Sequence, residues 1–443
     1  MKTIFANKYN SVTPELISSL VTQNMRDWDE CSPVLHSLKR TFSRSEKASN
    51  ETRIKNFVKK INGKDYSGTI TKSAGFIKSA GLLLDSIGLG GKYDLRKLNT
   101  KALTDITRGF VKQCCAFDSL LTDADIYQAA RNMWIMLAIQ KMFNLEVRLT
   151  PAIFAYSLLY PYCDNYIDDT KISLKDKINL GLHLYGKLSG EKVVAENENE
   201  RKIFALIEMI EEQYDRREFR DVYKSLLTIH GAQIKSLSLQ YSGKKLTPGE
   251  VMAIAMEKGG TSVFADGYLV AGRLDDKQQE IVFSLGVVLQ LLDDMQDIEE
   301  DKNNGIDSVF IQALNCSAPD EQACRAINYC DSVFQNVRLW VAEDNAGFID
   351  MLNDCVKMFF ISSSGSVADV FSDKYFETVE PYLPTGIAFM KDNKNKLYGY
   401  VQKIFTEIKS DPVYINPVHN TAVKRRKGNN TAIYVQSNAA AYC

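Results

Sequence analysis

A chain of 443 residues, 45% hydrophobic and 25% charged, has ordinary globular composition and enough length for a large core. Its formal net charge of -1 lacks the basic excess that a nucleic-acid partner requires, and the short basic cluster from Lys424 to Lys427 reads as a solvated part of a polar tail.

From the N-terminus, MKTIFANKYNSVTPEL offers neither a long apolar core nor a small-residue cleavage site, so a signal peptide is not expected. A spanning helix needs about 18 uncharged apolar residues, and the nearest approach, 73–91, is interrupted by Lys78 and Asp85. The expected location is the cytoplasm, without membrane insertion. Apolar residues recur at three- and four-residue spacing, as in Leu226, Ile229, Ile234 and Leu237 and again in Ile281, Leu285, Val288 and Leu292. Alternating strand patterns bounded by Asn-Gly or Asp-Gly turns are scarce, so the expected fold class is all-α.

The spacing predicts helices over 13–24, 27–44, 49–61, 100–118, 123–144, 150–168, 174–190, 199–215, 218–241, 248–272, 276–300, 318–343, 345–363 and 376–408. Thr13-Pro14-Glu15 and Thr247-Pro248-Gly249-Glu250 are start signals, with a capping hydroxyl followed by proline at the first helical position. Residues 63–98 are richer in Gly and Ser and suggest a boundary, giving an N-terminal helical part over 1–98, a main body over 99–408 and a polar, loosely ordered tail over 409–443. No internal repeat or heptad run is visible. The nine cysteines make no CxxC pair and the four histidines lie far apart, which argues against zinc and fits free thiols in a reducing compartment.

The stretch GVVLQLLDDMQDIEEDKNNGIDS, 286–308, raises a question of charge. Asp293, Asp297 and Asp301 are spaced by four, which stacks them on one helical face, where like charges repel. A solvated acidic helix end is one explanation. Against it, Leu285, Val287, Val288, Leu289, Leu291 and Leu292 leave the incoming helix little polar surface, so the carboxylates are delivered at the mouth of a cavity. Oxygen ligands of this kind suit Mg²⁺, which takes one or two carboxylates together with phosphate oxygens and water. Residues 153–171, IFAYSLLYPYCDNYIDDTK, repeat the design with Asp164, Asp168 and Asp169, and Asn165 adds an amide oxygen.

QLLDDMQDIEED resembles the second aspartate-rich motif of the class I isoprenoid (terpene) synthase superfamily, in particular its trans-prenyltransferase branch, with Gln290, Asp293, Asp294, Asp297 and Asp301 on the pattern. Asp164-Asn165-Tyr166-Ile167-Asp168 resembles the first motif, with Asn in its second place, and Lys258 in MEKGGTSVFADGYLVAG resembles the lysine segment beside the substrate diphosphate. The resemblance spans roughly residues 100–400. It implies an all-α class I isoprenoid-synthase bundle around a deep apolar cavity, with the N-terminal part as an addition. It also implies three Mg²⁺ ions that bind an allylic isoprenoid diphosphate and favour its ionisation. Asp164 and Asp168 would hold one pair of ions, with Asp169 able to replace either. Asp293, supported by Asp297, would hold the third, and Asp294 and Asp301 follow in rank.

Lys258, Gln290, Lys302 and Asn165 are the candidate diphosphate-binding residues; Arg216 and Arg217 are surface-prone types for which solvation is the stronger reading. The implied activity is a Mg²⁺-dependent terpene synthase or cyclase, a lyase acting on a linear C15–C25 prenyl diphosphate. No Arg-Arg pair follows Asp169, and Gly90-Gly91-Lys92-Tyr93-Asp94-Leu95-Arg96 matches an isopentenyl diphosphate site only in part. Cyclisation is therefore preferred over the alternative, a chain-elongating polyprenyl diphosphate synthase using isopentenyl diphosphate. A degenerate helical binding protein is the non-enzyme alternative. Gly259-Gly260 within a helix reads as a break that turns backbone groups toward the pocket, and Asp266 reads equally as an orienting residue or a buried pair. The N-terminal part has three readings: it caps the pocket, pairs two subunits as a homodimer, or extends the bundle.

Overall fold

Strong caps and helical periodicity leave the backbone few alternatives, and the computed structural model of the protein is all-helical wherever it has regular structure. The structure describes residues 14–36, 38, 40–62, 100–168, 171–241, 246–392 and 409. Among them are no strands; sixteen α-helices are delimited, and helical backbone recurs over 387–392. In chain order they are α1 Pro14–Glu30, α2 Arg44–Asn62, α3 Thr100–Phe117, α4 Asp123–Met142, α5 Pro151–Asp168, α6 Leu174–Ser189, α7 Glu198–Gln213 and α8 Arg220–Ser236. There follow α9 Ser238–Tyr241, α10 Pro248–Ala271, α11 Asp276–Gln296, α12 Ile298–Asn304, α13 Val309–Leu314, α14 Asp320–Trp340, α15 Glu343–Ser366 and α16 Asp373–Val379. The 63–98 boundary segment, the 90–96 Gly-Lys match, chain beyond residue 392 other than Lys409, and the tail lie outside the described residues.

The chemistry of the caps explains the starts. Thr122 and Asp125 form a reciprocal capping box at α4, Thr247 and Glu250 do so at α10, and Asp275 and Gln278 do so at α11. Several expected elements need correction. The helices expected over 13–24 and 27–44 are instead one helix, α1, and the described residues between its end and Arg44 are not helical. Pro33 cannot continue a helix, and Arg325 satisfies the helix end from outside, donating to the carbonyls of Trp28, Asp29 and Cys31 at 3.1, 3.0 and 2.8 Å. The helix expected over 376–408 is interrupted: α16 runs from Asp373 to Val379, Pro381 and Pro384 fall in the break, and helical backbone resumes over 387–392, where the continuous described chain ends.

Helix α10 is the axis of the molecule. It packs against α1, α4, α5, α8, α11 and α13, and it is apolar on nearly all sides, burying Val251, Met256, Val263, Phe264 and Leu269 among others. It also runs unbroken through Gly259 and Gly260, so the expected break is not there. The glycines serve a close approach. A Cβ on Gly286 of α11 would lie 2.2 Å from the Gly259 carbonyl oxygen, and one on Gly260 would lie 2.4 Å from the Phe283 ring. Two helices this close leave no room for side chains at the crossing.

Helix α1 contributes Ile17, Leu20, Val21 and Trp28 to the same core, packed on α10, α11 and α14. The described residues all fall within one compact unit, Met1–Lys409. No helix among them is long and apolar enough to cross a membrane.

Candidate functional site

The apolar run of α11 ends in the aspartate row at one end of the bundle. The backbone bends at Asp297, which closes α11 and opens α12, yet the helical hydrogen bonding carries across the bend. Asp297 N–H donates to the Asp293 carbonyl at 3.0 Å, and Asp301 N–H to the Asp297 carbonyl at 2.8 Å. Asp293, Asp297 and Asp301 therefore stay in line despite the helix change. Gly305, with a φ of 66°, then closes α12 in the left-handed conformation that glycine adopts without strain.

The row is electrostatically crowded. Asp294 is buried and accepts a hydrogen bond from Gln290 Nε2 on Oδ1 at 2.7 Å, while its Oδ2 has no partner. Burial, with added repulsion from Asp293 and Asp301, pushes its carboxyl up to about 7. Asp297 is likewise raised to about 7, by burial first and then by Asp293, Asp301 and Glu300. Asp301 rises to about 6 for the same reasons, moderated by a hydrogen bond from Ser308 and by Lys258. Positive charge stands at the edges. Lys258 of α10 attracts both Asp294 and Asp301, and Arg131 of α4 lies 3.9 Å from Asp293. That last pair is about half exposed and too weak to neutralise the row.

The hydrogen bonds also fix which end of α5 faces this cluster. Asn132 Nδ2 lies 3.5 Å from Ser157 Oγ, and Asn165 Nδ2 donates to Asp125 Oδ1 at 2.9 Å, so α4 and α5 run antiparallel. Tyr160 and Ser262 hydroxyls meet at 2.5 Å, and Asn132 also donates to Asp266 Oδ1 at 3.1 Å, so α5 and α10 run antiparallel too. One turn onward from Tyr160 is backbone position 164, and one turn back from Ser262 is Lys258. These two positions share a level at the end of the bundle where α11 finishes. Pro161 sits within α5 just before that point and removes one backbone donor there. Asp169 and the side chains of Asp164 and Asp168 lie outside the described residues.

The remaining sequence candidates separate. Gln290 and Lys258 join the aspartate row. Asn165 is exposed and engaged with Asp125 in the first turn of α4, and Lys302 is exposed on α12. Arg216 belongs elsewhere: it donates to the Leu188 and Lys187 carbonyls at the end of α6 and pairs with Glu211, while Arg217 is exposed and pairs with Asp215. Neither is near the row by these contacts. Arg131 and Ser308 were not singled out in the sequence. The signal for Arg131 was there: it and Asn132 are polar residues inside the apolar stretch of α4, and one meets Asp293 while the other meets Asp266.

Asp266 is wholly buried, with one hydrogen bond from Asn132 and an Oδ2 that has no partner. Burial lifts its carboxyl to about 8. The folded protein thus holds this proton across a range, from the ordinary carboxylate value to about 8, in which the unfolded chain has lost it. Stability falls as pH rises through that window. Asp266→Asn removes the titration, so its melting temperature should exceed that of the parent, and the gain should grow from pH 5 to pH 8. The expected gain at neutral pH is about 1–3 kcal/mol, reduced from the full linkage value by the unpaired amide hydrogens it introduces. A lower melting temperature for the variant at pH 8 would show that the ionised carboxylate is stabilising instead.

Comparison of the chain with known proteins, as family models, as curated sequences and as solved structures, finds no match.

Proposed function

We propose that the protein is a Mg²⁺-dependent class I terpene synthase or cyclase that ionises a linear prenyl diphosphate. One observation carries the reading: an apolar helix delivers Asp293, Asp294, Asp297 and Asp301 to one end of the bundle, with Lys258 beside them and α5 ending at the same level. The donor set fits the ion. It is all oxygen, it includes the partnerless Asp294 Oδ2, and its carboxyls are raised because burial and mutual repulsion go uncompensated. Asp293 and Asp297 would hold magnesium from α11, and Asp164 and Asp168 from α5. Magnesium bound there supplies neutralisation of charge on the departing diphosphate.

The chain's own residues do the rest. Lys258 and Arg131 stand where they can bind the diphosphate oxygens, and Gln290 holds Asp294 in one orientation through its amide. The Gly259–Gly286 crossing fixes the spacing of Lys258 and the aspartate row, since neither backbone can move away without opening the core.

Two experiments test this. Geranyl, farnesyl and geranylgeranyl diphosphates are incubated with the protein and Mg²⁺, with and without isopentenyl diphosphate, and the products are identified. Hydrocarbon or alcohol formed without isopentenyl diphosphate is the expected result; longer diphosphates formed only in its presence would replace the cyclase with a chain-elongating synthase. The second is a pH titration of metal binding. Protons compete for Asp294, Asp297 and Asp301 up to about 7, 7 and 6, so Mg²⁺ should bind more weakly at pH 5.5 than at pH 8. Without Mg²⁺, these raised groups make stability fall as pH rises from the ordinary carboxylate range to about 7. Saturating Mg²⁺ should reduce that fall. Equal stabilisation by Mg²⁺ at both pH values would count against carboxylate ligation by this row.

A further inference from the structure

A second donor cluster lies apart from the aspartate row. His183 on α6, Glu196 in the connection before α7 and Glu200 in the first turn of α7 each offer one ligand atom, and the three atoms lie within 4.8 Å of one another. His183 Nδ1 is 3.1 Å from Glu200 Oε2, and its Nε2 is 3.9 Å from Glu196 Oε1. We propose that His183, Glu196 and Glu200 form a site for a borderline first-row divalent cation of the zinc type.

Three features support it. The donors are mixed, one imidazole nitrogen and two carboxylates, which suits zinc rather than magnesium. Glu200 is almost fully buried, and among the described residues the only ion-pair partner found for it is an imidazole, with no lysine or arginine against it. The two carboxylates carry the charge that a divalent cation balances. The cluster is also held in place. The Glu196 backbone N–H donates to Glu200 Oε2 at 2.7 Å, Asn197 caps α7 by accepting from the Glu200 N–H at 2.9 Å, and α6 ends in a left-handed Gly190.

Zinc distances of about 2.0–2.2 Å to N and O put tetrahedral ligand atoms roughly 3.3–3.5 Å apart. His183 and Glu200 are already near that spacing, and exposed Glu196 closes the third side by moving its side chain alone. The count of Cys and His in the sequence argued against zinc because it left out carboxylates, which supply two of the three ligands here. The site would pin the start of α7 to α6. Asn199, next to Glu200, donates to the Tyr162 carbonyl at 3.2 Å, so the same clamp reaches α5.

The test uses the full-length protein, stripped with a chelator and then titrated with Zn²⁺ by calorimetry, with bound zinc counted after gel filtration. One tightly held zinc per chain, a raised melting temperature, and zinc affinity reduced about tenfold or more in Glu196→Gln are the expected results. His183→Ala should abolish retention; if that variant does not fold, the exposed Glu196→Gln decides alone. Asp293→Asn combined with Asp297→Asn should retain zinc, which separates this site from the magnesium reading, on which it does not depend. Equal zinc retention by the parent and Glu196→Gln, or zinc lost only with the aspartates, overturns the proposal.

Discussion

Asp297→Ala is expected to lose about 10²- to 10³-fold in Mg²⁺-dependent pyrophosphate release while melting no lower than the parent protein. The two halves of that result have one cause. Asp297 sits among Asp293, Asp301 and Glu300, and burial with their repulsion raises its carboxyl to about 7. The carboxylates around it repel it, and Arg131 alone of the named charges attracts it. Removing it from the metal-free protein therefore relieves repulsion and the cost of holding a carboxyl at a partly buried bend. Catalysis, by contrast, would lose a ligand at the point where charge develops on the leaving group. Asp293→Ala should behave alike, and it also frees Arg131. Pyrophosphate release and melting temperature measured on the same preparations separate the outcomes. Unchanged release with a geranylgeranyl, farnesyl or geranyl substrate on which the parent is active would sink the assignment of the row. A parallel loss of stability would make the residue structural.

The second large effect comes from a single methyl group. Gly286→Ala places a Cβ 2.2 Å from the Gly259 carbonyl oxygen, 2.8 Å from its carbon and 2.9 Å from Gly260 Cα. All three are backbone atoms, so no side chain can rotate out of the way, and α10 and α11 must separate. The expected cost is about 3 kcal/mol or more, at the upper end of overpacking effects. Gly347→Ala is the control. That glycine lies exposed within α15 with nothing within 4 Å of an added Cβ, so alanine should be neutral or stabilise by up to about 1 kcal/mol. Chemical denaturation of both variants tests the contrast. A Gly286→Ala protein as stable as the parent would mean that the crossing is looser than the structure has it. Because the crossing also sets Lys258 against Asp294, activity should fall in Gly286→Ala even where the fold survives.

The parts of this architecture visible in the sequence share a physical character: they are local. The start signal at Thr247 depends on residues three apart and was read as such, and α4, α10 and α11 begin where the spacing predicts, at the capping boxes of Thr122, Thr247 and Asp275 that the structure shows. The aspartate spacing is equally local, so the alignment of Asp293, Asp297 and Asp301 was readable even though the helix changes at Asp297. The rest depended on tertiary register. Gly259 and Gly260 give one signal for two outcomes, a break or a close approach, and only the position of Gly286 and Phe283 on another helix decides between them. Arg131 meets Asp293 only because the fold brings its side chain, from α4, to 3.9 Å from the end of α11. His183 and Glu200 face each other across a helix turnaround, a pairing that a search for cysteine and histidine spacing does not reach.

The seating of α1 has a consequence for synthesis. Its Asn24 is bonded by the Tyr329 hydroxyl, 305 residues further along, and Arg325 closes its end. At about 5–20 residues per second, a ribosome needs roughly 15–60 s to make that intervening chain. For most of that interval, until α10 and α11 are made, the face bearing Ile17, Leu20, Val21 and Trp28 lacks the helices it packs on. The first of the described helices is thus buried only after the helices it packs on are made, and its apolar face stays open to chaperones until then.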